Sequence, residues 1–240
     1  MNLSVVVPVR NEAENIDPLL AEIHAALDGR VDFEVVYVDD GSDDGTAKAL
    51  AAARARYPRL RVVRHRTACG QSAAIGSGIR AARAPWIATL DGDGQNDPAD
   101  IPRLWDMLHA DGAAGPTRII IGHRRKRRDT LAKRLASRIA NAIRARLLGD
   151  NTPDTGCGLK LFARDAFLEL PRFDHMHRYL PALFLKRGCT VTSVEVNHRP
   201  RERGVSKYGV LDRLWVGIAD LAGVMWLQRR TSVPVIVPED

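Results

Sequence analysis

Asp91, Asp93 and Gln95 stand in the stretch LDGDGQNDP, directly after an apolar run that ends at Leu90. Two carboxylates at i and i+2, an amide at i+4 and glycines between them can converge on one hard cation, because glycine lets the backbone fold tightly. Oxygen ligands of this kind suit Mg²⁺ or Mn²⁺. A calcium loop is the rival pattern, and it fails. Counted from Asp91 its twelfth place holds Pro102, and counted from Asp40 it holds Ala51, where a glutamate is required. A second cluster, VDDGSDDGT, puts Asp40 at the end of another apolar run, where a carboxylate can accept from ribose or base donors. Asp97 with Pro98, and Asp44 or Ser42, have a plainer use as helix caps.

The cations lie elsewhere. Between Arg124 and Arg146 ten Lys/Arg face one acid, Asp129, a net +9 in a chain whose total is +7. The rest of the chain is therefore slightly acidic, and the basic segment implies a local anionic partner. Leu131, Leu135, Ile139, Ile143 and Leu147 give that segment one apolar face, the pattern of an interfacial helix on anionic lipid. A solvated face is the plainer reading of Arg144 and Arg146. A nucleic-acid or anionic-surface binding module is the alternative class. No aromatics interleave with the patch and no nucleic-acid motif accompanies it, so no nucleic acid is expected as a partner.

The elements that position these groups alternate. Apolar runs at Leu3–Val9, Phe33–Val38, Leu60–Arg64, Trp86–Leu90 and Arg118–Ile121 predict strands. Between them Ile16–Leu27, Thr46–Tyr57, Ser72–Ala82 and Pro98–His109 read as helices. This is an α/β chain with a mostly parallel sheet covered on both faces, whose ligands bind at the carboxyl ends of the strands. Arg10-Asn11-Glu12, Asp39-Asp40 and Asp91–Gln95 all fall at such ends. The second half predicts a basic helix at Thr130–Leu148, the loop GDNTPDTGCG, strands at Leu159–Phe162 and Thr190–Val196, and a last amphipathic helix at Val210–Leu227. The GxGxxA match at Gly76–Ala81 lies inside a helical pattern, the wrong context for a dinucleotide fingerprint. Three scattered cysteines form no CxxC and read as reduced, which suggests cytoplasm. The histidines show no metal spacing with cysteine or with one another. The N-terminal run broken by Pro8 reads as a strand, and no apolar run is long enough for a transmembrane helix.

VVVPVRNEAENI, YVDDGSDDGT, CGQSAAIGSGIRAA and IATLDGDGQNDP, in this order, resemble the GT-A family 2 glycosyltransferases. IGHRR, the basic helix, DTGCGLKLFARDAF and RPRERGVSKYG are similar to the polyprenyl-phosphate, dolichol-phosphate mannosyltransferase-like type. The resemblance covers roughly residues 3–210 and implies a GT-A fold. It places Pro8, Glu12, Val38 and Asp40 at the nucleotide, and Asp91, Gly92, Asp93 and Gln95 at the metal and sugar diphosphate. Arg124, Arg134, Arg201 and Lys207 fall at phosphates or the acceptor, and Asp154 at a base or orienting carboxylate. The chain departs from the pattern at Arg10, at Gly92, and at Cys157 and Leu159. The implied activity is metal-dependent, inverting transfer from a nucleotide sugar, GDP-mannose first and a UDP-sugar next, to a polyprenyl phosphate. A saccharide or other lipid acceptor is the alternative. The implied organisation is a catalytic domain over 1–210, its nucleotide-sugar half about 1–122 and its acceptor half about 123–210, then an amphipathic helix and tail over 211–240. Peripheral attachment to the cytoplasmic membrane face, directly or through a separate membrane subunit, is expected.

Overall fold

The apolar runs become strands almost residue for residue, because each is long enough to cross a core and ends in polar turn residues. The computed structural model describes residues 1–109, 118–124, 141–200 and 210–234. Strands β1 (Leu3–Val9), β2 (Phe33–Asp39), β3 (Leu60–Arg64) and β4 (Trp86–Thr89) run parallel, joined through α1 (Ile16–Leu27), α2 (Thr46–Arg56) and α3 (Gln71–Ala81). Then come α4 (Ile101–His109), β5 (Arg118–His123) and helical residues 141–148, here α5. They are followed by β6 (Lys160–Ala163), α6 (Arg164–Leu168), α7 (Leu180–Lys186), β7 (Thr190–Glu195) and α8 (Val210–Arg230).

The seven strands form one sheet in the order β3-β2-β1-β4-β6-β5-β7. β6 inserts between β4 and β5 and is antiparallel to both, whereas the remaining pairs are parallel. This reversal positions the site. Lys160, the first residue of β6, lies opposite Thr89 near the end of β4 and Ile121 of β5. The loop entering β6 is thereby delivered to the carboxyl edge, where the parallel strands end.

Alternation along the strands divides the core. Val5, Val7 and Tyr37 pack with α1, α2 and α4 on one face, and Val6 and Val36 pack with α3, α6 and α7 on the other. The last helix joins the second face through Val224, Leu221 and Met225, while Ile218 and Trp226 point outward. The amphipathic helix expected here thus turns apolar side chains both to the core and outward. Side chains 211–215 lie outside the described residues, as do most of the basic helix and the RPRERGVSKYG loop from 201 to 209. Among the described residues no helix is long and apolar enough to cross a membrane.

Candidate active site

The acidic loop leaves β4 at Leu90 and turns back on β1. Gly92 sits so close to β1 that a Cβ would stand 3.0 Å from the Pro8 carbonyl oxygen and nearer still to Val9. The Asp91 N–H donates to Asn96 Oδ1 at 3.3 Å, and the Gln95 N–H donates to Asp93 Oδ1 at 3.1 Å, so the loop is tied by its own amides. Asp97 accepts from the Ala99 N–H at 3.0 Å with Pro98 following, which is the cap expected from sequence. Asp44 similarly accepts from the Thr46 N–H at 2.8 Å.

Asp91 faces the loop before β6. Its Oδ1 accepts from Gln71 Nε2, at the start of α3, at 2.8 Å. A Cβ on Gly158 would stand 2.6 Å from that same oxygen, so the carboxylate packs directly on the Gly158 backbone. Burial and the neighbouring Asp93 charge push the Asp91 pKa up to about 6, against the opposing pull of Lys160 and Arg124.

Arg124 and Asp154 meet in a planar fork: Nε donates to Oδ2 at 2.7 Å and Nη2 to Oδ1 at 2.8 Å. The Arg124 N–H adds a third bond to Oδ2, at 3.2 Å. The fork is braced from α5. Arg144 is buried and donates to Thr155 Oγ1 and to the Thr152 carbonyl, with its Nε 3.4 Å from the fully buried Asp150 carboxylate. This corrects the solvated-face reading of Arg144, whose loop partners are polar groups that burial would otherwise leave unpaired. Ile143 and Leu147 of the same helix are exposed, as an apolar face without protein cover requires.

A cavity of about 470 Å³ joins these parts, and Pro8, Gln71, Asp91, Arg124, Asp154 and Gly158 line it. Sequence reasoning missed Lys160, also in its wall. This lysine is 4 % exposed, its amine donates to the Cys157 carbonyl, and burial lowers its pKa. The signal was a single charge inside an apolar strand. His177 and Arg178, before α7, complete the wall. Ser72 Oγ lies 2.7 Å from His177 Nδ1 and accepts from the His177 N–H at 3.2 Å. Burial, then the charges of Lys160 and Arg178, push the His177 pKa down to about 3, so the imidazole is neutral.

The Asp40 side is closed. Asp40 is buried, and its carboxylate accepts from the Cys69 and Gly70 N–H groups, each at 2.8 Å, with His65 Nδ1 2.7 Å away. Asp40, His65 and Cys69 bring ligand-type atoms within 4.8 Å of one another, a convergence their spacing did not suggest. The two N–H bonds to Asp40 make the cluster a clamp on the loop before α3. Val38 is fully buried beneath Gly78 of α3. Glu12 holds the opposite rim, its N–H donating to Thr46 Oγ1 at 2.9 Å and its carboxylate accepting from Asn15. Beyond β7, the Arg199 N–H donates to the Gln95 carbonyl at 2.9 Å, and its guanidinium pairs with Asp97 and Glu22 at 2.5 and 2.8 Å. The chain leading to Arg201 and Lys207 is thereby laced to the acidic loop at Asp91–Asp97. Arg134, Arg201 and Lys207 lie outside the described residues.

Residues 4–170 match the model for glycosyl transferase family 2. The chain belongs to that family. It is a glycosyltransferase, of the GT-A-like fold that its sheet displays. A dodecaprenyl-phosphate galacturonate synthase from Rhizobium johnstonii is 36% identical over 242 residues, covering 98% of this chain and 69% of that protein. An undecaprenyl-phosphate 4-deoxy-4-formamido-L-arabinose transferase from Edwardsiella ictaluri is 34% identical over 87% of this chain and 63% of its own length. The chain thus spans about two thirds of these relatives. Among solved structures, glucosyl-3-phosphoglycerate synthase from Mycobacterium tuberculosis, in complex with Mn²⁺, UDP-glucose and phosphoglyceric acid, superposes with a TM-score of 0.67 at 20% identity, over 98% of this chain and 81% of that one. A mannosyltransferase from Pyrobaculum calidifontis, in complex with GDP-mannose and Mn²⁺, gives 0.66 at 20% identity, over 97% and 66%.

Proposed function

We propose that this family 2 enzyme transfers a sugar from a nucleotide diphosphate sugar to the phosphate of a polyprenyl phosphate. One observation carries the reading. A single cavity joins the acidic loop at Asp91 to the cations Arg124, Lys160 and Arg178. The names of both relatives, which specify polyprenyl-phosphate acceptors, support it.

Asp91 and Asp93, with Gln95, would hold Mg²⁺ or Mn²⁺. The fit rests on the donor set: hard oxygens, and a buried Asp91 carboxylate whose proton affinity burial and the neighbouring Asp93 charge raise. A bound divalent ion would stabilise charge on the departing diphosphate. The chain's own groups would do the rest. Pro8, Glu12 and Asp40 shape the nucleotide rim. Arg124 presents its guanidinium to phosphate, and Arg134, Arg201 and Lys207 add cations at the acceptor and over the diphosphate. The acceptor oxygen forms a bond to the anomeric carbon as the bond from that carbon to the diphosphate breaks, the electron pair leaving with the diphosphate. This single displacement inverts the centre. A phosphate acceptor is ionised near neutral pH, so no proton has to be removed. Asp154, with both oxygens engaged by Arg124, is then a positioning residue rather than a base.

The sugar differs between the two relatives, and neither name specifies mannose. That favours a UDP-linked sugar over GDP-mannose. Exposed Ile143, Leu147 and Trp226, beside Arg229 and Arg230, suit peripheral docking on an anionic membrane. The test is a transfer assay with labelled UDP- and GDP-sugars, Mn²⁺, and a short polyprenyl phosphate present or absent. Label entering the organic phase only with the lipid phosphate, and lost in EDTA or in Asp93→Ala, is expected. Transfer that ignores the lipid phosphate would overturn the reading.

A further inference from the structure

Three side chains where β2, β3 and α3 meet carry the donor set of a transition-metal site. Asp40 follows β2, His65 follows β3 and Cys69 stands in the loop before α3, and one ligating atom from each lies within 4.8 Å of the other two. The loop is held over the carboxylate. The Cys69 N–H donates to Asp40 Oδ1 and the Gly70 N–H to Oδ2. A Cβ on Gly41 would stand 2.5 Å from the Ala68 nitrogen, so glycine lets the turn after β2 pass beneath this loop. A carboxylate offers about four lone-pair sites, so the two N–H bonds orient Asp40 and leave each oxygen able to bind an ion. His65 is aimed in the manner of a metal ligand. Its Nδ1 lies 2.7 Å from Asp40 Oδ1 and its Nε2 2.9 Å from Ser77 Oγ. With the ring proton on Nε2 and donated to Ser77, the Nδ1 lone pair faces the carboxylate; ligating histidines are commonly fixed by such an outer hydrogen bond. Cys69 is exposed, and its thiol makes a weak contact with the Thr67 carbonyl at 3.3 Å.

We propose that Asp40, His65 and Cys69 form a site for a thiolate-binding divalent ion of the Zn²⁺ class, separate from the oxygen site at Asp91 and Asp93, and that filling it antagonises nucleotide binding. The site stands on the cluster itself, and the antagonism rests on the nucleotide reading of Asp40 above. Zn²⁺ binds sulfur at about 2.3 Å and nitrogen or oxygen at about 2.0–2.2 Å, which sets tetrahedral ligands about 3.4–3.6 Å apart. The three side chains reach that by rotation, because the ion takes the place of the proton between His65 and Asp40. The thiol proton leaves to water, the imidazole keeps one proton at Nε2, and the fourth position opens to solvent beside the exposed Cys69. Thiolate and imidazole together select Zn²⁺ over Mg²⁺ or Mn²⁺, whose preferred ligands are oxygens. An occupied site ties down the carboxylate at the nucleotide rim and fixes the loop before α3 against it.

Co²⁺ is the probe, added to the chelator-treated full chain in a large excess of Mg²⁺. A tetrahedral thiolate complex gives intense visible bands and a sulfur-to-cobalt charge-transfer band that an oxygen-only site lacks. Stoichiometric Co²⁺ is expected to raise these bands and stoichiometric Zn²⁺ to abolish them. Ser77→Ala should weaken Zn²⁺ by about ten- to a hundredfold, the usual cost of losing an outer partner, and Cys69→Ser and His65→Gln by more than that. None of the three residues is fully buried, and melting curves check that each variant is folded. Absent bands, or bands that persist in Cys69→Ser because Cys157 or Cys189 carries them, overturn the site. Zn²⁺ should also weaken UDP or GDP binding in the wild type by about five- to a hundredfold, the ordinary range of coupling between two ligands. Cys69→Ser should lose that effect, which controls for Zn²⁺ held by the nucleotide or at Asp91. Equal weakening in both proteins overturns the antagonism. Folded wild type that binds neither nucleotide would remove the nucleotide-sugar reading and the antagonism with it, while the thiolate bands would still establish the site.

Discussion

Gly158→Ala isolates the contact that aims the Asp91 carboxylate, which on the proposed reading holds the metal. The added methyl would stand 2.6 Å from Asp91 Oδ1 and closer to the rest of the carboxyl group, while ordinary contact begins at 3.4 Å. The carboxylate must therefore retreat by about 1 Å, or the loop before β6 must lift by as much. Misplacing a reacting or ligating group by about 1 Å costs on the order of a hundredfold in rate. Overpacking costs stability too, about 1–3 kcal/mol, which in a domain of this size is roughly 2–12 °C of melting temperature. The assay pairs a Mn²⁺ titration with initial rates of sugar transfer. The expected result is weaker Mn²⁺ binding and a rate about a hundredfold lower in a protein that still melts cooperatively. Metal affinity and rate both within twofold of wild type would show that Asp91 does not depend on this packing, and would refute the reasoning.

Arg144→Ala leaves Asp150 buried without its cation, so denaturant unfolding should show a loss of about 3–5 kcal/mol; a loss under 1 kcal/mol would contradict the clamp. Burial pushes the Asp91 pKa up to about 6, so on the proposed metal-binding reading protons would compete with Mn²⁺ below that pH. The apparent Mn²⁺ affinity should be level above about pH 7 and fall about tenfold per unit below pH 5, and a flat profile to pH 4 would contradict this. Asp154→Asn should lower kcat and raise the KM for lipid phosphate by loosening Arg124, and leave the shape of the pH–rate profile unchanged. Loss of the acidic limb from that profile would make Asp154 a base after all.

The first half was legible because its strands are long apolar runs ending in acidic or turn residues. Residues 3–9 and 33–39 could be read directly, and with them the positions of Asp40 and Asp91 at strand ends. The direction of β6 was not legible. A four-residue strand carries no periodicity that distinguishes parallel from antiparallel pairing, and only the sheet reveals that Lys160 enters at the ligand edge. The burial of Arg144 was not legible for a related reason. Its neighbours in sequence are exposed, and the polar loop that needs it lies at 150–155, visible only once α5 packs there. Val38 and Asp40 are adjacent to turn residues, yet both are enclosed by α3 and the loop before it, a tertiary event that the local pattern does not encode.

Following both phosphates through one reaction is the most direct test. Purified protein, Mn²⁺, a UDP-sugar that it binds and a short polyprenyl phosphate would be monitored by ³¹P NMR. The account predicts that the lipid monophosphate resonance is replaced by a sugar–phosphate diester in step with the appearance of UDP. Release of UDP with the lipid monophosphate unchanged would contradict it.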